Sequence, residues 1–415
     1  MFAHVRPAAA RLRPLNLSLI CFKPRFNSTG IGSQLGPRRA VVYNENGNPA
    51  EVARVVSSTD PVLLRDEDVL VRFLAAPINP SDLNVIEGKY PMRPEPIHEF
   101  GASSDGPGIF VGGHEGVAVV VKTGPLVDGP PTKPERRFRV GDWVLMRKPQ
   151  TGTWTNWKVV PMRELRRIDR TKKTESKVTE AFAATLMVNS LTSLGLMTDI
   201  SPIPGWHSYI LQNGANSAVG QAIIQTAKQM GIKTINFVRD RPDYPQLKQY
   251  LMDLGADHVF TYDELLDRSF KKTFESLRTP PVKACRHAFN CIGGPTVAAM
   301  AALLDKNGHL ISYGGMSKQP IILPVGLQIF KNLTAHGYWH SHTWEMIGQK
   351  EQDNRIARMV AWKELGRWKD PEHEELVLKG DDEEATGILR EGLKRVQEGN
   401  IRKKVLIKWA SPKDS

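Results

Sequence analysis

The sequence predicts an α/β protein in two parts, a β-rich part followed by a doubly wound parallel-sheet domain. Residues 39–185 carry short apolar runs separated by proline and glycine, which is typical of strands joined by turns. In residues 186–344, strand-like runs alternate with helical patterns, as in a parallel sheet covered by helices. The length of 415 residues also exceeds what one hydrophobic core usually holds.

Residues 1–30 differ in composition from the rest of the chain. They carry basic residues among alanines, leucines and serines, and the first acidic residue is Glu45. This composition is typical of a mitochondrial transit peptide and predicts the mitochondrial matrix, with a disordered basic arm as the alternative. Because these residues account for part of the formal net charge of +12, we do not expect a nucleic-acid partner.

Short apolar runs in residues 39–185 predict four strands, at Ala40–Tyr43, Val69–Leu74, Gly116–Val121 and Trp143–Leu145. Residues 98–113 and 124–136 are rich in glycine, proline, serine and charge, which predicts exposed loops. These features are typical of a β-rich, partly barrel-like domain.

A glycine turn at Gln212–Gln221 (Q-N-G-A-N-S-A-V-G-Q) organises the second part, and a predicted helix at Ala181–Leu196 leads into that part. An apolar strand precedes the turn and a helical pattern follows it. Strand, tight turn and helix N-terminus together present backbone N–H groups to a pyrophosphate. Gly214 suits the sharp turn and Gly220 the close packing of helix on strand. A plain β-turn in another α/β protein is the alternative.

The next predicted strand, Thr234–Val238, runs into Arg239, Asp240 and Arg241. In a dinucleotide-binding fold this is where the adenine ribose is bound. Two arginines favour a 2′-phosphate, and therefore NADPH, whereas a lone acid would favour the 2′-hydroxyl of NAD. A solvated charge cluster is the alternative.

The remaining predicted strands are Leu254–Phe260, Ala288–Ile292, His309–Tyr313, Thr334–Trp339 and Lys404–Trp409. Each strand of the parallel sheet ends in glycine, polar or aromatic residues, which lie at the ligand crevice of such sheets. We expect residues 345–415 to comprise a surface helix and loop elaboration, over 345–385, and a strand that returns to the first part.

Two absences limit the possible functions. No run of 18 apolar residues occurs, so no membrane span is expected. The three cysteines, Cys21, Cys285 and Cys291, have no spacing typical of a metal site or a disulfide framework.

The order of these parts resembles the medium-chain dehydrogenase/reductase superfamily, and several segments are similar to its mitochondrial trans-2-enoyl-thioester reductases. These segments are Ala75–Asn84, Glu87–Tyr90, Asn213–Gln221, Phe237–Asp243, Asn290–Gly294 and Ser312–Pro320. The first is shared with quinone reductases, which indicates the zinc-free, quinone-oxidoreductase-like branch. The resemblance covers most of Arg39–Trp409 and implies a GroES-like catalytic domain with a Rossmann nucleotide-binding domain.

Many relatives in the superfamily hold a catalytic zinc with cysteine and histidine, but this sequence lacks such a ligand set. His114 lies where one ligand would be, whereas Asn79 and Asn189 stand at the positions of the others. Since a zinc site of this kind needs several sulfur or imidazole ligands together, no metal is expected. Similar enoyl reductases carry asparagine at the position of His114, which we expect to be a hydrogen-bonded structural histidine.

The resemblance implies NADPH-dependent reduction of a trans-2-enoyl thioester, carried by acyl carrier protein or CoA, in mitochondrial fatty-acid synthesis. Hydride addition to the β-carbon leaves the α-carbon in need of a proton. The proton-donating tyrosine of the family falls on Tyr90, whose phenolic hydroxyl can donate. Pro91 follows it where a small residue is common.

The resemblance also implies the cofactor contacts. Asn216, Ser217, Ala218 and Val219 would hold the pyrophosphate, with Arg239 and Arg241 on the 2′-phosphate and Asp240 at the ribose. The nicotinamide and acyl half would meet Asn189, Tyr313, Gly314, Gly315, Met316, Tyr338, Trp339, His340 and Ser341. Lys403, between Arg402 and Lys404, would be the C-terminal lysine near the cofactor. A homodimer that pairs nucleotide domains edge to edge is expected, and Trp339 could equally belong to its interface.

Two other functions stay open. A quinone oxidoreductase would share the fold and the Ala75–Asn84 segment but would not require Tyr90. A nucleic-acid-binding or regulatory protein could retain a degenerate cofactor fold, since Ala218 and Pro91 depart from the usual glycines.

Overall fold

The structure, a computed structural model, describes residues 35–60, 62–100, 108–127, 138–171, 175–203, 208–278, 284–399 and 403–410. The predicted transit peptide at residues 1–30 lies outside the described residues. No helix in these ranges is both long enough and apolar enough to cross a membrane.

The first part of the chain is β-rich, as predicted. Its strands are β1 (Arg38–Tyr43), β2 (Arg54–Ser58), β3 (Asp68–Pro77), β4 (Phe110–Val111), β5 (Val117–Thr123), β6 (Trp143–Met146), β7 (Trp157–Pro161) and β8 (Leu165–Arg167). Two short helices, α1 (Pro49–Val52) and α2 (Pro80–Ile86), and a 3₁₀ turn at Met162–Glu164 join them. The four predicted strands are confirmed, and the loop expected at residues 98–113 contains the short strand β4.

Strand β3 is the centre of the first part. It pairs antiparallel with β5 through Val69–Ala75 and with β7 through Asp68–Arg72. Strands β6 and β8 extend the sheet beyond β5, while β2, β1 and β4 form a separate three-stranded sheet. After Pro77 the chain leaves β3 and forms α2, and the segment that carries Tyr90 follows this helix.

The junction between the two parts is not the single helix Ala181–Leu196 that the sequence predicts. It consists of α3 (Glu180–Ala184), a π-helical turn (Leu186–Ser190) and α4 (Leu191–Thr198). A π-helical turn is a rare, wider turn that often marks a functional position. Here it redirects Val188 and Asn189 towards the first part of the chain.

The second part is a six-stranded parallel sheet. Its strands are β9 (Ser208–Asn213), β10 (Lys233–Val238), β11 (His258–Thr261), β12 (Ala284–Asn290), β13 (His309–Ser312) and β14 (Thr334–Gly337). They lie in the order β11-β10-β9-β12-β13-β14, so the direction of winding reverses between β9 and β12. A ligand crevice is expected outside the carboxyl ends of the strands at such a reversal.

Helices cover both faces of this sheet. They are α5 (Ala218–Met230), α6 (Tyr244–Leu254), α7 (Tyr262–Leu266), α8 (Phe270–Leu277), α9 (Thr296–Ala302) and α10 (Val325–Lys331). Helix α6 ends at Leu254, so the strand predicted from that residue begins only at His258. The predicted doubly wound architecture is confirmed.

The remaining elements are α11 (His340–Met346), α12 (Gln349–Glu364), β15 (His373–Leu378), α13 (Asp382–Gln397) and β16 (Lys404–Trp409). Residues 345–385 contain a helix with an exposed face, α12, but this helix also buries Ile356 and Met359 in the core beside the junction. Strand β15 pairs parallel with β16, which pairs antiparallel with the end of β3. The predicted return of the chain to the first part is confirmed.

Candidate active site

The turn between β9 and α5 has the geometry that its glycines predict. Gly214 has a φ of +59°, and a Cβ there would lie 2.5 Å from Sγ of Cys291. A Cβ at Gly220 would lie 2.6 Å from the Gly214 carbonyl oxygen, so both positions require glycine. The N–H groups of Ala218 and Val219 bond no acceptor in the described chain. They are therefore available to a phosphate at the N-terminus of α5, and the turn fits the pyrophosphate of NADPH.

Ser217 and Asn216 complete this turn. The Ser217 hydroxyl caps α5 by accepting from the Gly220 N–H at 3.0 Å. The Asn216 carbonyl accepts from Nε2 of Gln221 at 2.8 Å. Residues 216–219 are half-exposed at the carboxyl edge of the sheet. A ligand can therefore reach their backbone.

The end of β10 presents the predicted basic pair. Arg239 is exposed and forms no ion pair within the described ranges. Nε of Arg241 lies 3.9 Å from Oδ1 of Asp243, at the limit of an ion pair. Oδ1 of Asp240 accepts from the Arg241 N–H at 3.0 Å, which orders this loop. The guanidinium groups of Arg239 and Arg241 are both available to a phosphate beside the end of β10.

The ends of β12 and β13 meet at the same edge of the sheet. Met316 donates its N–H to the Cys291 carbonyl at 2.9 Å, and Gly314 and Gly315 are exposed. Burial and the neighbouring Cys291 thiol raise the pKa of Tyr313 above its usual value. Tyr313–Met316 therefore follow β13 at the carboxyl edge of the sheet, close to the glycine turn.

Tyr90 lies at this edge as well, because two residues that follow β14 contact its hydroxyl. Nε1 of Trp339 donates to the Tyr90 oxygen at 2.8 Å, and Oγ of Ser341 lies 3.3 Å from it. The Tyr90 ring makes edge contacts with the rings of Trp339 and His114, at centroid distances of 5.9 and 5.4 Å. We call Tyr90, Trp339, Ser341 and His114 the Tyr90 cluster.

A second group, which we call the buried polar network, joins Asn79, Glu115, Asn189 and Lys404. Oε1 of Glu115 accepts from the Asn79 and Asn189 amides at 2.9 and 3.0 Å, and Oε2 accepts from the Val188 N–H at 2.8 Å. Nζ of Lys404 donates to Oδ1 of Asn79. Asn189 therefore orders the site from the π-helical turn.

The two charged members of the buried polar network change each other's protonation. Burial raises the pKa of Glu115 to about 7, while the Asn79 amide and the Lys404 charge oppose that rise. Burial lowers the pKa of Lys404 to about 8, against the attraction of Glu115 and Asp82. A buried carboxylate and ammonium are tolerated here because each faces the other and is hydrogen-bonded.

The residues at the zinc-ligand positions of the superfamily, Asn79, His114 and Asn189, do not fit a zinc ion. The described residues contain no group of three His, Cys, Asp or Glu side chains placed to hold a metal. Nδ1 of His114 lies 2.6 Å from Oδ1 of Asp82, and the amide of Asn189 donates to Oδ1 of Asn79 at 3.2 Å. The side chains at the zinc-ligand positions are therefore bonded to other partners, and amides are poor zinc ligands.

Three predicted cofactor residues have different positions from those expected. Lys403 is exposed, whereas Nζ of Lys404 lies 2.9 Å from the Ile78 carbonyl inside the site. Neighbouring side chains of an extended segment point to opposite faces, so only one of this pair can enter. The lysine of the site is therefore Lys404.

Tyr338 and His340 also direct their side chains into the scaffold rather than the crevice. The Tyr338 hydroxyl donates to Oδ2 of Asp199 at 2.9 Å, and Asp199 binds Arg355 through both oxygens. Nε2 of His340 lies 2.8 Å from the Met187 carbonyl, and burial lowers the pKa of His340 to about 4. A cofactor contact by either side chain would require breaking these bonds.

Sequence reasoning missed several residues of the site. Glu115, Asp82 and Gln150 are buried and polar, and the hydroxyl of Tyr262 accepts from the Gly214 N–H at 2.9 Å. Two signals were available. Asn79-x-x-Asp82 is the spacing of a capping box, and Tyr262 directly follows a strand of the parallel sheet.

Comparison with known proteins agrees with this geometry. Residues 65–162 match the family model described as alcohol dehydrogenase GroES-like domain, and residues 218–352 match that described as zinc-binding dehydrogenase. The human mitochondrial enoyl-acyl-carrier-protein reductase is 38% identical over 349 residues, which are 84% of this chain and 84% of the human protein. The Schizosaccharomyces pombe enzyme is 37% identical over 364 residues, 87% of this chain and 92% of that protein.

The chain belongs to the mitochondrial enoyl-acyl-carrier-protein reductase family. Among solved structures, the Etr1p/NADP/crotonyl-CoA complex aligns with a TM-score of 0.81 and 29% identity, over 90% of this chain and 99% of that chain. A Bacillus thuringiensis putative NADPH:quinone reductase aligns with a TM-score of 0.69 but only 20% identity, so that likeness concerns the fold alone. The predicted family resemblance is confirmed.

Proposed function

We propose that Tyr90 donates the proton that completes enoyl-thioester reduction in this NADPH-dependent member of the reductase family. The observation that carries the proposal is the hydrogen bond from Nε1 of Trp339 to the Tyr90 oxygen. Because the oxygen accepts this bond, the phenol hydrogen is left to point towards Ser341 or a bound substrate. NADPH, when bound, supplies the hydride for the β-carbon, and the α-carbon then needs a proton.

We propose that the carboxyl edge of the parallel sheet binds NADPH in an extended conformation. Asn216, Ser217, Ala218 and Val219 hold the pyrophosphate, and Arg239, Asp240 and Arg241 hold the phosphorylated adenosine ribose. Tyr313–Met316, Trp339 and Ser341 line the nicotinamide half, with Asn189 and Lys404 beneath it. The unbonded N–H groups at α5 and the exposed Arg239 support this assignment.

We also propose a substrate carrier and a compartment, and membership of the reductase family supports both proposals. The chain is a mitochondrial enzyme, and the matrix is the compartment that we propose, with a transit peptide at residues 1–30. We propose trans-2-enoyl chains on acyl carrier protein or CoA as substrates, in mitochondrial fatty-acid synthesis. Both carriers are acidic, and the formal net charge of +7 that remains without residues 1–30 favours their approach.

We propose a homodimer in which the β14 edges of two nucleotide domains pair. Strand β14 is an exposed edge strand, and apolar side chains more than 60% exposed lie on the preceding segment, at Ile322, Val325, Ile329 and Phe330. A large exposed apolar patch next to an open sheet edge is typical of a protein interface. Sedimentation equilibrium tests this, and a monomer at micromolar concentration would contradict it.

The decisive experiment follows NADPH oxidation with trans-2-enoyl-CoA substrates, with NADH as the control cofactor. Tyr90→Phe should lower kcat by at least about 100-fold, because general-acid catalysis contributes that much or more. Tyr209→Phe is the matched control, since the Tyr209 hydroxyl donates to the Leu277 carbonyl away from the site. Normal kcat in Tyr90→Phe would contradict the proton-donor role of Tyr90.

A further inference from the structure

We infer that His114 and Gln150 are positioning residues for Tyr90, an inference that rests on the proton-donor role proposed above. Neither residue reaches the reacting atoms. They fix the ring of Tyr90 and the backbone that carries it, and thereby determine where the phenol proton is delivered. The inference begins from three observations: the bonding of the imidazole, the backbone of Gln150 and the contacts of the Tyr90 ring.

The His114 ring is fixed at both nitrogens. Nδ1 lies 2.6 Å from Oδ1 of Asp82, and Nε2 lies 3.2 Å from Nε2 of Gln150. The Gln150 amide nitrogen can only donate, so Nε2 of His114 accepts and Nδ1 carries the hydrogen towards the carboxylate. This pattern leaves no ring N–H for Tyr90. His114 therefore acts on the tyrosine by contact and not by proton exchange.

The backbone around His114 is equally constrained. Its N–H donates to the same Asp82 oxygen at 2.8 Å, and the other Asp82 oxygen accepts from the Asn79 N–H at 2.7 Å. The preceding Gly113 has a φ of +105° and packs against the 153–154 backbone, where a Cβ would lie 2.9 Å from the Trp154 nitrogen. The His114 side chain, 3% exposed, is therefore fixed in place, and its ring makes a T-shaped contact with the Tyr90 ring.

Gln150 connects the His114 imidazole to the segment that carries Tyr90. Its amide also donates to the Met92 carbonyl at 3.0 Å, two residues beyond Tyr90. On the other side, the Tyr90 N–H donates to the Asn84 carbonyl at 3.1 Å. The tyrosine is thus held by its own backbone N–H and, two residues later, by the side chain of Gln150. Without Gln150, its segment would lose the later of these two anchors.

The Gln150 backbone indicates that this arrangement serves function rather than stability. Its φ is +57°, a left-handed conformation that costs a residue with a side chain free energy, and the residue is 8% exposed. Strained residues of this kind persist where the surroundings hold them, and they cluster at active sites. In this conformation the Gln150 amide nitrogen donates to two acceptors, Nε2 of His114 and the Met92 carbonyl.

A double-mutant cycle with Tyr90→Phe tests the inference, with crotonyl-CoA and NADPH as substrates. His114→Ala and Gln150→Met should each lower kcat about tenfold with the KM for NADPH unchanged, because a small misplacement of a catalytic group is costly. In the Tyr90→Phe background, each should lower kcat less than about twofold, since residues that act through one group are not additive. The same tenfold loss in both backgrounds would overturn the inference.

Further measurements separate positioning from a merely structural role. The solvent deuterium isotope effect on kcat should increase in His114→Ala, because a misplaced phenol makes proton transfer slower. An unchanged isotope effect with a reduced kcat would count against the inference. His373→Ala, on strand β15, is the matched control and should leave kcat unchanged. NADPH titration by fluorescence shows that each variant is folded, and Gln150→Met tests the same positioning role if His114→Ala does not fold.

The outcomes distinguish this inference from the proposed function. If Tyr90→Phe retains the wild-type kcat, the proton-donor role fails and the inference fails with it. If Tyr90→Phe loses activity while His114→Ala and Gln150→Met keep the wild-type kcat, only the positioning role fails.

Discussion

The glycine turn and the Tyr90 cluster lie at the same edge of one parallel sheet, yet they are built in different ways. The turn is formed by consecutive residues of Gln212–Gln221, and its shape follows from two glycines. The Tyr90 cluster and the buried polar network draw residues from the segments on either side of α2, the 113–115 segment, the π-helical turn, the segment after β14 and β16. The glycine turn is therefore a local site, formed by one segment. The Tyr90 cluster and the buried polar network form an assembled site, which depends on the packing of distant segments.

The largest expected effect is on the free energy of unfolding, and it should differ between two adjacent lysines, Lys404 and Lys403. Lys404→Met should lower the free energy of unfolding by about 3–5 kcal/mol, because it leaves the buried Glu115 carboxylate without its opposite charge. Lys403→Met is the matched control and should change that free energy by less than about 0.5 kcal/mol, since its side chain is exposed. Urea unfolding followed by tryptophan fluorescence measures both. Equal effects of the two substitutions would show that the assembled site does not depend on Lys404.

An intermediate effect is expected at the local site. Arg239→Gln and Arg241→Gln should each raise the KM for NADPH about 10- to 100-fold, the worth of one charge-assisted hydrogen bond to a phosphate. The KM for NADH should stay unchanged because NADH lacks the 2′-phosphate. Steady-state kinetics with both cofactors measures this ratio. A parallel loss with NADH would mean that the arginines support the fold and not the phosphate.

The smallest expected effect compares one buried histidine in each region. Burial lowers the pKa of His287, on β12, and that of His340, beside the Tyr90 cluster, to about 4 in each case. Because the folded protein binds fewer protons than the unfolded chain, this stability is present above pH 6.5 and is lost towards pH 4. Glu115, with a pKa raised to about 7, contributes in the opposite sense.

Urea unfolding of His287→Asn and His340→Asn at pH 7, 6 and 5 isolates the histidine contribution. Each variant should show a flatter dependence of the unfolding free energy on pH than the wild type does. Only His340→Asn should also reduce kcat, because His340 contacts the Met187 carbonyl in the π-helical turn. A wild-type pH slope in both variants would mean that neither histidine is held neutral by the fold.

The same contrast explains what the sequence can predict. The strands, the winding of the parallel sheet and the glycine turn follow from periodicity and turn chemistry, which are local properties. Tyr90 was located through family resemblance, because one tyrosine after a short helix has no local signature. The contact between Lys404 and Asn79 spans 325 positions, so no window of sequence contains it. The choice of Lys403 over Lys404 failed for this reason, since only strand packing decides which lysine points inward.

The pairing of β16 with the end of β3 has a consequence for the order in which the enzyme becomes functional. Lys404 and Ile78 are 326 positions apart, and the Ile78 N–H donates to the Val405 carbonyl at 3.0 Å. Contacts between such distant segments form late, after local helices and hairpins. The glycine turn lies wholly within the parallel sheet, so its binding of nucleotide does not require β16. The buried polar network, in contrast, stays incomplete until residues 404–409 pair with β3.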